Sequence, residues 1–267
     1  MLRKFWSVLC SAIKIEIPRR ICYNKSVQAL PMQGRRAGVH VYSAERSGPM
    51  HIILASASPR RRELIRRIGW EEEIEKSHFM EVKNEKEALA WIKKEKKDDL
   101  FHPFSQEELV CIVNAYGKAR DAVSRRGDDR PVLGADTIVV LGSSVLGSSV
   151  LGKPKDQEDA FRMLSCLSGR VHQVKTGMAL LYRGKTDLSV TTTEVRFRQL
   201  DKEEIMEYIA TGEPADKAGA YGIQGLGTLL VESICGSYDN VVGLPLAVLY
   251  ERMRRLVNRR EASEISR

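Results

Sequence analysis

Residues 131–140 read P-V-L-G-A-D-T-I-V-V, an apolar run broken once, by Gly134, Ala135, Asp136 and Thr137. The run reads as a buried strand with a carboxylate set into it. An ionised group in low dielectric is costly unless a cation, a metal or hydrogen-bond donors meet it, so Asp136 needs a reason to be there. Two reasons are open: chemistry, or a structural role in which Asp136 caps a strand end or accepts backbone N–H groups. The choice rests on what the remaining chain brings to this strand.

Upstream, His51 to Ser56 reads H-I-I-L-A-S, a short buried strand, followed by Ala57-Ser58-Pro59-Arg60-Arg61-Arg62-Glu63-Leu64-Ile65. Ser58 is a natural N-cap and Pro59 a natural first helical residue, so strand gives way to helix within a few positions. The amide-rich, dipole-positive helix start then lies beside Arg60 and Arg61, a phosphate site in outline. The same residues also fit a solvated basic face on an amphipathic helix with Leu64, Ile65 and Ile68 inward. Glu71 to Asp99 is charge-rich and reads mostly as solvated helix surface, with a helix over Lys86–Lys97 that turns Ala88, Leu89 and Ile92 inward. A second helix is expected from Ser105, with Glu108 completing a capping box, through Ala122, with Leu109, Ile112, Val113, Tyr116 and Ala119 inward.

Downstream, Leu141-Gly-Ser-Ser-Val is repeated at Leu146 and followed by Leu151-Gly152-Lys153-Pro154. A period of five would flip a strand's faces, so the extra copy is expected to enlarge a hairpin loop. Lys153 has the reach to meet a phosphate, although Lys-Pro is commonly only a turn. A helix from Asp156 to Leu167, strands over 171–182 and 188–198, and a helix over 201–210 follow. Pro214 to Gly227 is a glycine-punctuated loop of the kind that binds or moves. A strand over 228–234 and a helix from Pro245 to about Val257 close the pattern. Strands interleaved with helices, some antiparallel, indicate an α/β fold with a mixed sheet in one domain, 51–258, and a polar tail over 259–267.

The composition narrows the function classes. The chain has 267 residues, 43% of them hydrophobic, and no run approaching the roughly 18 apolar residues of a membrane span. Five scattered cysteines without C-x-x-C spacing point to a reducing compartment and to no structural zinc. The net charge of +8 is concentrated in residues 1–50, which hold nine Lys and Arg against Glu16 and Glu45. The body is nearly neutral, which argues against a nucleic-acid polymer as partner and leaves room only for a local basic pocket. Residues 1–50 have the composition of an organellar presequence, mitochondrial or other; the alternatives are a disordered basic extension, or an upstream start codon wrongly included, with Met50 as the true start. Without such a leader the protein is expected in the cytoplasm.

Taken together, S-A-S-P-R-R at 56–61, G-A-D-T at 134–137, G-K-P at 152–154, S-G-R-V-H at 168–172, D-K-A-G-A-Y-G-I-Q-G at 216–225 and G-L-P at 243–245 resemble the Maf (septum formation) family. These are nucleoside triphosphate pyrophosphatases akin in structure to the inosine triphosphate pyrophosphatases. Each motif is weak alone; six in order are specific, and they run from His51 to about Asn258. The resemblance implies hydrolysis between the α and β phosphates with a divalent metal, Mg²⁺ or Mn²⁺, and a homodimer. It puts Asp136 at the proton acceptor and Arg60, Thr137 and Gln224 at positions tied to substrate choice, in the branch that acts on dTTP and UTP. Lys118 and Glu81 fall where the family has a helix lysine and a glutamate, so Glu81 with Asp136 would hold the metal. Ser58, Arg61 and Lys153 complete the expected substrate contacts. The chain departs from the pattern in a longer segment between Glu81 and Lys118 and in the repeat between Asp136 and Lys153. Rival readings are a non-catalytic nucleotide-binding regulator of division and the branch preferring 7-methyl-GTP.

Overall fold

The computed structural model describes residues 50–126, 129–142 and 149–258. The expected presequence or extension, the core of the five-residue repeat and the polar tail lie outside the described residues. Seven strands form one mixed sheet in the order β2, β1, β3, β5, β6, β7, with β4 pairing β3. In chain order they are β1 (His51–Leu54), β2 (Glu71–Ile74), β3 (Val132–Leu141), β4 (Ser149–Leu151), β5 (Val171–Tyr182), β6 (Lys185–Phe197) and β7 (Val231–Cys235). The helices are α1 (Pro59–Arg67), α2 (Glu85–Glu95), α3 (Asp98–Phe101), α4 (Gln106–Arg125), α5 (Gln157–Leu167), α6 (Lys202–Ala210), α7 (Tyr238–Val242) and α8 (Leu246–Asn258). Strands β1, β2 and β3 run parallel, and every pairing from β3 onward is antiparallel. The expected mixed α/β sheet is therefore present, and among the described residues no helix is long and apolar enough to cross a membrane.

The sequence patterns explain most of these elements. Helix α4 turns Leu109, Ile112, Val113, Tyr116 and Ala119 inward against one sheet face, and its first turn is held by the Glu108 carboxylate, which accepts from the Ser105 amide at 3.0 Å. Asp201 and Glu204 form a reciprocal capping box at the start of α6. Helix α5 buries Ala160, Met163, Leu164 and Leu167 as its spacing predicts. Helices α1 and α8 close the other sheet face over Leu54, Leu133, Ala135 and Leu180.

Several expectations change, among them the last strand, expected over 228–234, which begins only at Val231 after a 3-10 turn over Gly225–Leu230. Leu89, expected inward, is 46% exposed, because α2 packs through Ala88, Trp91 and Ile92. Ser58 holds the N-cap position of α1, yet its hydroxyl makes no capping bond; its own amide is drawn instead to Ser56 Oγ at 3.3 Å. Glu71–Ile74 is an edge strand rather than helix surface. E-E-E-I shows no alternation to betray a strand, and its charges are met by arginines: Glu72 takes Arg62 at 2.6 Å and Arg66 at 2.8 Å, while Glu73 takes Arg126 and Arg130. Finally, the stretch between Glu81 and Lys118 carries the short helix α3 after the expected α2, and their Trp91 and Phe101 stack edge-on with Phe79 and Tyr116. That aromatic cluster seats the segment carrying Glu81 onto α4.

Candidate active site

Strand β1 accompanies β3 only as far as the pair Leu54–Leu133, then the chain leaves for α1; β4 rejoins β3 at the pair Val139–Leu151. Between them the β3 edge from Gly134 to Ile138 has no strand on that side among the described residues. A cleft of about 760 Å³ occupies the gap, at the carboxyl end of β1 where open α/β sheets place their ligands. Its walls carry eight Lys and Arg against three carboxylates, Glu81, Asp136 and Asp216, although the body of the chain is almost neutral. The basic pocket left open by bulk charge is real and local.

Asp136 projects from β3 toward α4. Lys118 Nζ donates to its Oδ1 at 2.8 Å and Asn114 Nδ2 to its Oδ2 at 3.1 Å, so two side chains one helical turn apart divide the carboxylate between them. Glycines let the helix come this close. A Cβ at Gly177, the partner of Asp136 on β5, would lie 2.6 Å from the Cys111 carbonyl carbon, and one at Gly134 would overlap the Ala115 carbonyl oxygen. Lys118 also meets Glu81 Oε1 at 2.6 Å, which puts two carboxylates on one ammonium. Burial works to raise the Glu81 pKa, but the charge and hydrogen bond of Lys118, with Lys153 and Arg61 behind it, outweigh burial and hold it below the usual carboxylate range. Cys111, buried beside Asp136, has its thiol pushed up by burial and by that negative charge, so it is an inert core residue.

Thr137 points to the opposite face of β3, where Arg61 waits. Arg61 is 9% exposed, and its guanidinium donates to three neutral oxygens: Gly243 O at 2.9 Å, Ser56 Oγ at 3.1 Å and Thr137 Oγ1 at 3.0 Å. Burial pulls its pKa down and the nearby Asp136 pushes it back up, but no carboxylate forms an ion pair with it among the described residues. A guanidinium has five N–H groups, so two remain for the cleft. Arg60 and Lys217 instead share Asp216, at 3.2 Å and 2.7 Å.

The Maf-like protein family model matches residues 51–256. The chain belongs to the Maf family. It is 44% identical over 200 residues to a dTTP/UTP pyrophosphatase of Thermococcus kodakarensis, a match covering 75% of this chain and 94% of that protein. It is 43% identical over 214 residues to a dTTP/UTP pyrophosphatase of Yersinia pestis bv. Antiqua, covering 80% and 97%. It is 42% identical over 210 residues to one of Caldanaerobacter subterraneus subsp. tengcongensis, covering 78% and 90%.

All nine residues singled out in the sequence line this Maf cleft: Ser58, Arg60, Arg61, Glu81, Lys118, Asp136, Thr137, Lys153 and Gln224. They do not do the same work. The Thr137 hydroxyl is already engaged by Arg61 and, at 3.0 Å, by Thr176. The Gln224 amide has no hydrogen bond among the described residues and faces the cleft beside Ile223. Lys153 is exposed at the rim. Asn114, Asp216, Lys217 and Ser56 were missed as site residues. The signal for Asn114 was available, since a carboxamide one turn before Lys118 interrupts an apolar helix face; the others lie in motifs read only as motifs.

The donor set has a preference among metals. Among the described residues no three or more His, Cys, Asp or Glu side chains gather to hold an ion. Two carboxylates converging on one ammonium suit a hard, oxygen-seeking dication that keeps waters and takes further ligands from phosphates, as Mg²⁺ does.

Proposed function

We propose that the protein hydrolyses dTTP and UTP to the nucleoside monophosphate and pyrophosphate, clearing these or modified pyrimidine nucleotides from the pool. The observation that carries this reading is the Arg61 guanidinium, buried at the cleft wall on neutral acceptors beside Asp136. A buried cation bonded only to neutral groups is completed by an anion, and two N–H groups of its fork match phosphate oxygens. The similarity to dTTP/UTP pyrophosphatases over most of the chain supports the same reading.

In this mechanism the triphosphate lies along Arg60, Arg61, Lys153 and Lys217, with the start of α1 open to it because no side chain caps those amides. Asp136, oriented on β3, takes a proton from a water whose oxygen attacks phosphorus; the α–β anhydride bond breaks, and pyrophosphate leaves with its charge spread over the cations. Glu81 and Asp136 would hold Mg²⁺ or Mn²⁺, which supplies charge neutralisation on the phosphates when bound. Gln224, donor and acceptor at once, suits the paired carbonyl and N–H edge of thymine or uracil.

The test is pyrophosphate release by the purified chain across ordinary and modified nucleoside triphosphates with Mg²⁺ or Mn²⁺. Release confined to dTTP, UTP and their modified relatives, reduced about 10²-fold or more in Asp136→Asn, is expected. No release from any nucleotide, or an Asp136→Asn variant at wild-type turnover, would overturn the proposal.

A further inference from the structure

We propose that Asn114 is a positioning residue for this reaction: its carboxamide orients Asp136 and ties that carboxylate to the segment bearing Glu81. The inference rests on the reading of Asp136 as the base.

The argument begins with cost. Asn114 is 2% exposed on the inward face of α4, flanked by Ile112, Val113, Ala115 and Tyr116, all buried. A carboxamide there is costly unless every polar atom is used. It is used in full. Oδ1 accepts from the Val82 amide at 2.8 Å, one Nδ2 hydrogen goes to the Val82 carbonyl at 3.0 Å, and the other goes to Asp136 Oδ2 at 3.1 Å. The reversed amide would set its oxygen against two acceptors and its NH₂ against a donor, so the network fixes one orientation.

The two ends of this network are the informative part. Bonding both the N–H and the C=O of Val82 is what a neighbouring strand would do, and no strand runs beside Val82 among the described residues. Asn114 therefore substitutes for a strand in pinning the backbone next to Glu81. With the same NH₂ group it fixes the Asp136 oxygen that Lys118 does not hold, since Lys118 takes Oδ1. Lysine is a poor orienter, because its ammonium is a point charge on a flexible stem. The planar, buried amide is the rigid member of the pair. A role confined to folding would need only the Val82 bonds; the bond to Asp136 is what makes Asn114 part of the reaction's geometry.

The test is a double-mutant cycle on the full chain. Asn114→Leu keeps size and removes all three bonds. It is expected to lower kcat about 10- to 100-fold with KM for dTTP or UTP within about threefold of wild type. In an Asp136→Asn background the same substitution should change kcat by less than about twofold, because the group it positions is gone. Asn114→Asp serves if the leucine variant does not fold: it keeps the acceptor for the Val82 amide and sets a like charge against Asp136, and the swapped pair Asn114→Asp with Asp136→Asn should recover stability without turnover. Equal kcat losses in both backgrounds, a loss carried by KM, or no recovery in the swapped pair would overturn the proposal. If the wild-type chain hydrolyses nothing, the reading of the site fails by itself, and chemical denaturation still decides the contact: non-additive Asn114→Leu and Asp136→Asn effects support it and additive ones refute it.

Discussion

Gly177→Ala adds one methyl group where β5 meets α4, and the structure gives its size. The new Cβ would lie 2.6 Å from both the carbonyl carbon and oxygen of Cys111 and 2.8 Å from the Ile112 nitrogen. Contacts between carbons ordinarily need about 3.5 Å, so roughly 0.9 Å must be found between strand and helix. The obstacle is backbone on both sides, so no side chain can turn away to make the room. Overpacking of this kind costs about 1–3 kcal/mol, offset by about 0.4–1 kcal/mol from the smaller conformational freedom of the unfolded chain. A net loss of about 1–2 kcal/mol should appear in urea denaturation.

The effect on turnover should exceed the effect on stability. Cys111 lies one turn before Asn114, and Gly177 is the register partner of Asp136. Moving that turn outward would stretch the 3.1 Å bond from Asn114 beyond hydrogen-bond reach while Lys118, on its longer stem, follows. A displacement near 1 Å at a reacting group can cost about 10²-fold, so kcat should fall about 10- to 100-fold in protein that is still folded. Wild-type kcat together with an unfolding free energy within about 0.5 kcal/mol of wild type would refute the reasoning, since it would mean that helix and strand separate freely.

His172 supplies an acid-stability prediction. It is 2% exposed, pairs through Nε2 with the Tyr221 hydroxyl at 2.7 Å, and burial lowers its pKa from 6.5 to about 4. The unfolded chain binds this proton first, so the stability is present above about pH 6.5 and is lost as the pH falls toward 4, by about 3 kcal/mol in all. His172→Gln should flatten that part of the pH–stability curve, and an unchanged slope would remove His172 as its source. Gln224→Ala should alter the preference between pyrimidine and purine triphosphates while leaving thermal stability near wild type, read from kcat/KM across bases; an unaltered profile would take Gln224 out of base recognition.

Much of the fold was legible because helix and strand signals are short-ranged. The 3.6-residue spacing of Leu109, Ile112, Val113, Tyr116 and Ala119, the carboxylates of Glu108 and Glu204 at their caps, and the apolar run around Asp136 each act within one or two turns of chain. Where such a signal was absent the sequence misled: Glu71–Ile74 has no alternation, and its strand exists because β1 offers an edge and Arg62, Arg66, Arg126 and Arg130 offer charges. Ser58 shows the reverse case, a correct position without the contact usual there: it is the N-cap of α1, but its hydroxyl makes no capping bond.

The sequence by itself determined the long, periodic helices and the central strands, the motifs of the Maf family, and the residue types gathered for phosphate chemistry. Tertiary structure alone decided how those residues divide the work. Asn114 meets Asp136 from 22 residues away and Arg60 meets Asp216 from 156 away. Asp136 and Thr137 are neighbours in the chain, yet the alternation of a strand sends one to Lys118 and the other to Arg61. Local propensity carries no information about such partners, because what brings them together is the packing of whole elements, here the approach of α4 that the missing side chains of Gly134 and Gly177 permit.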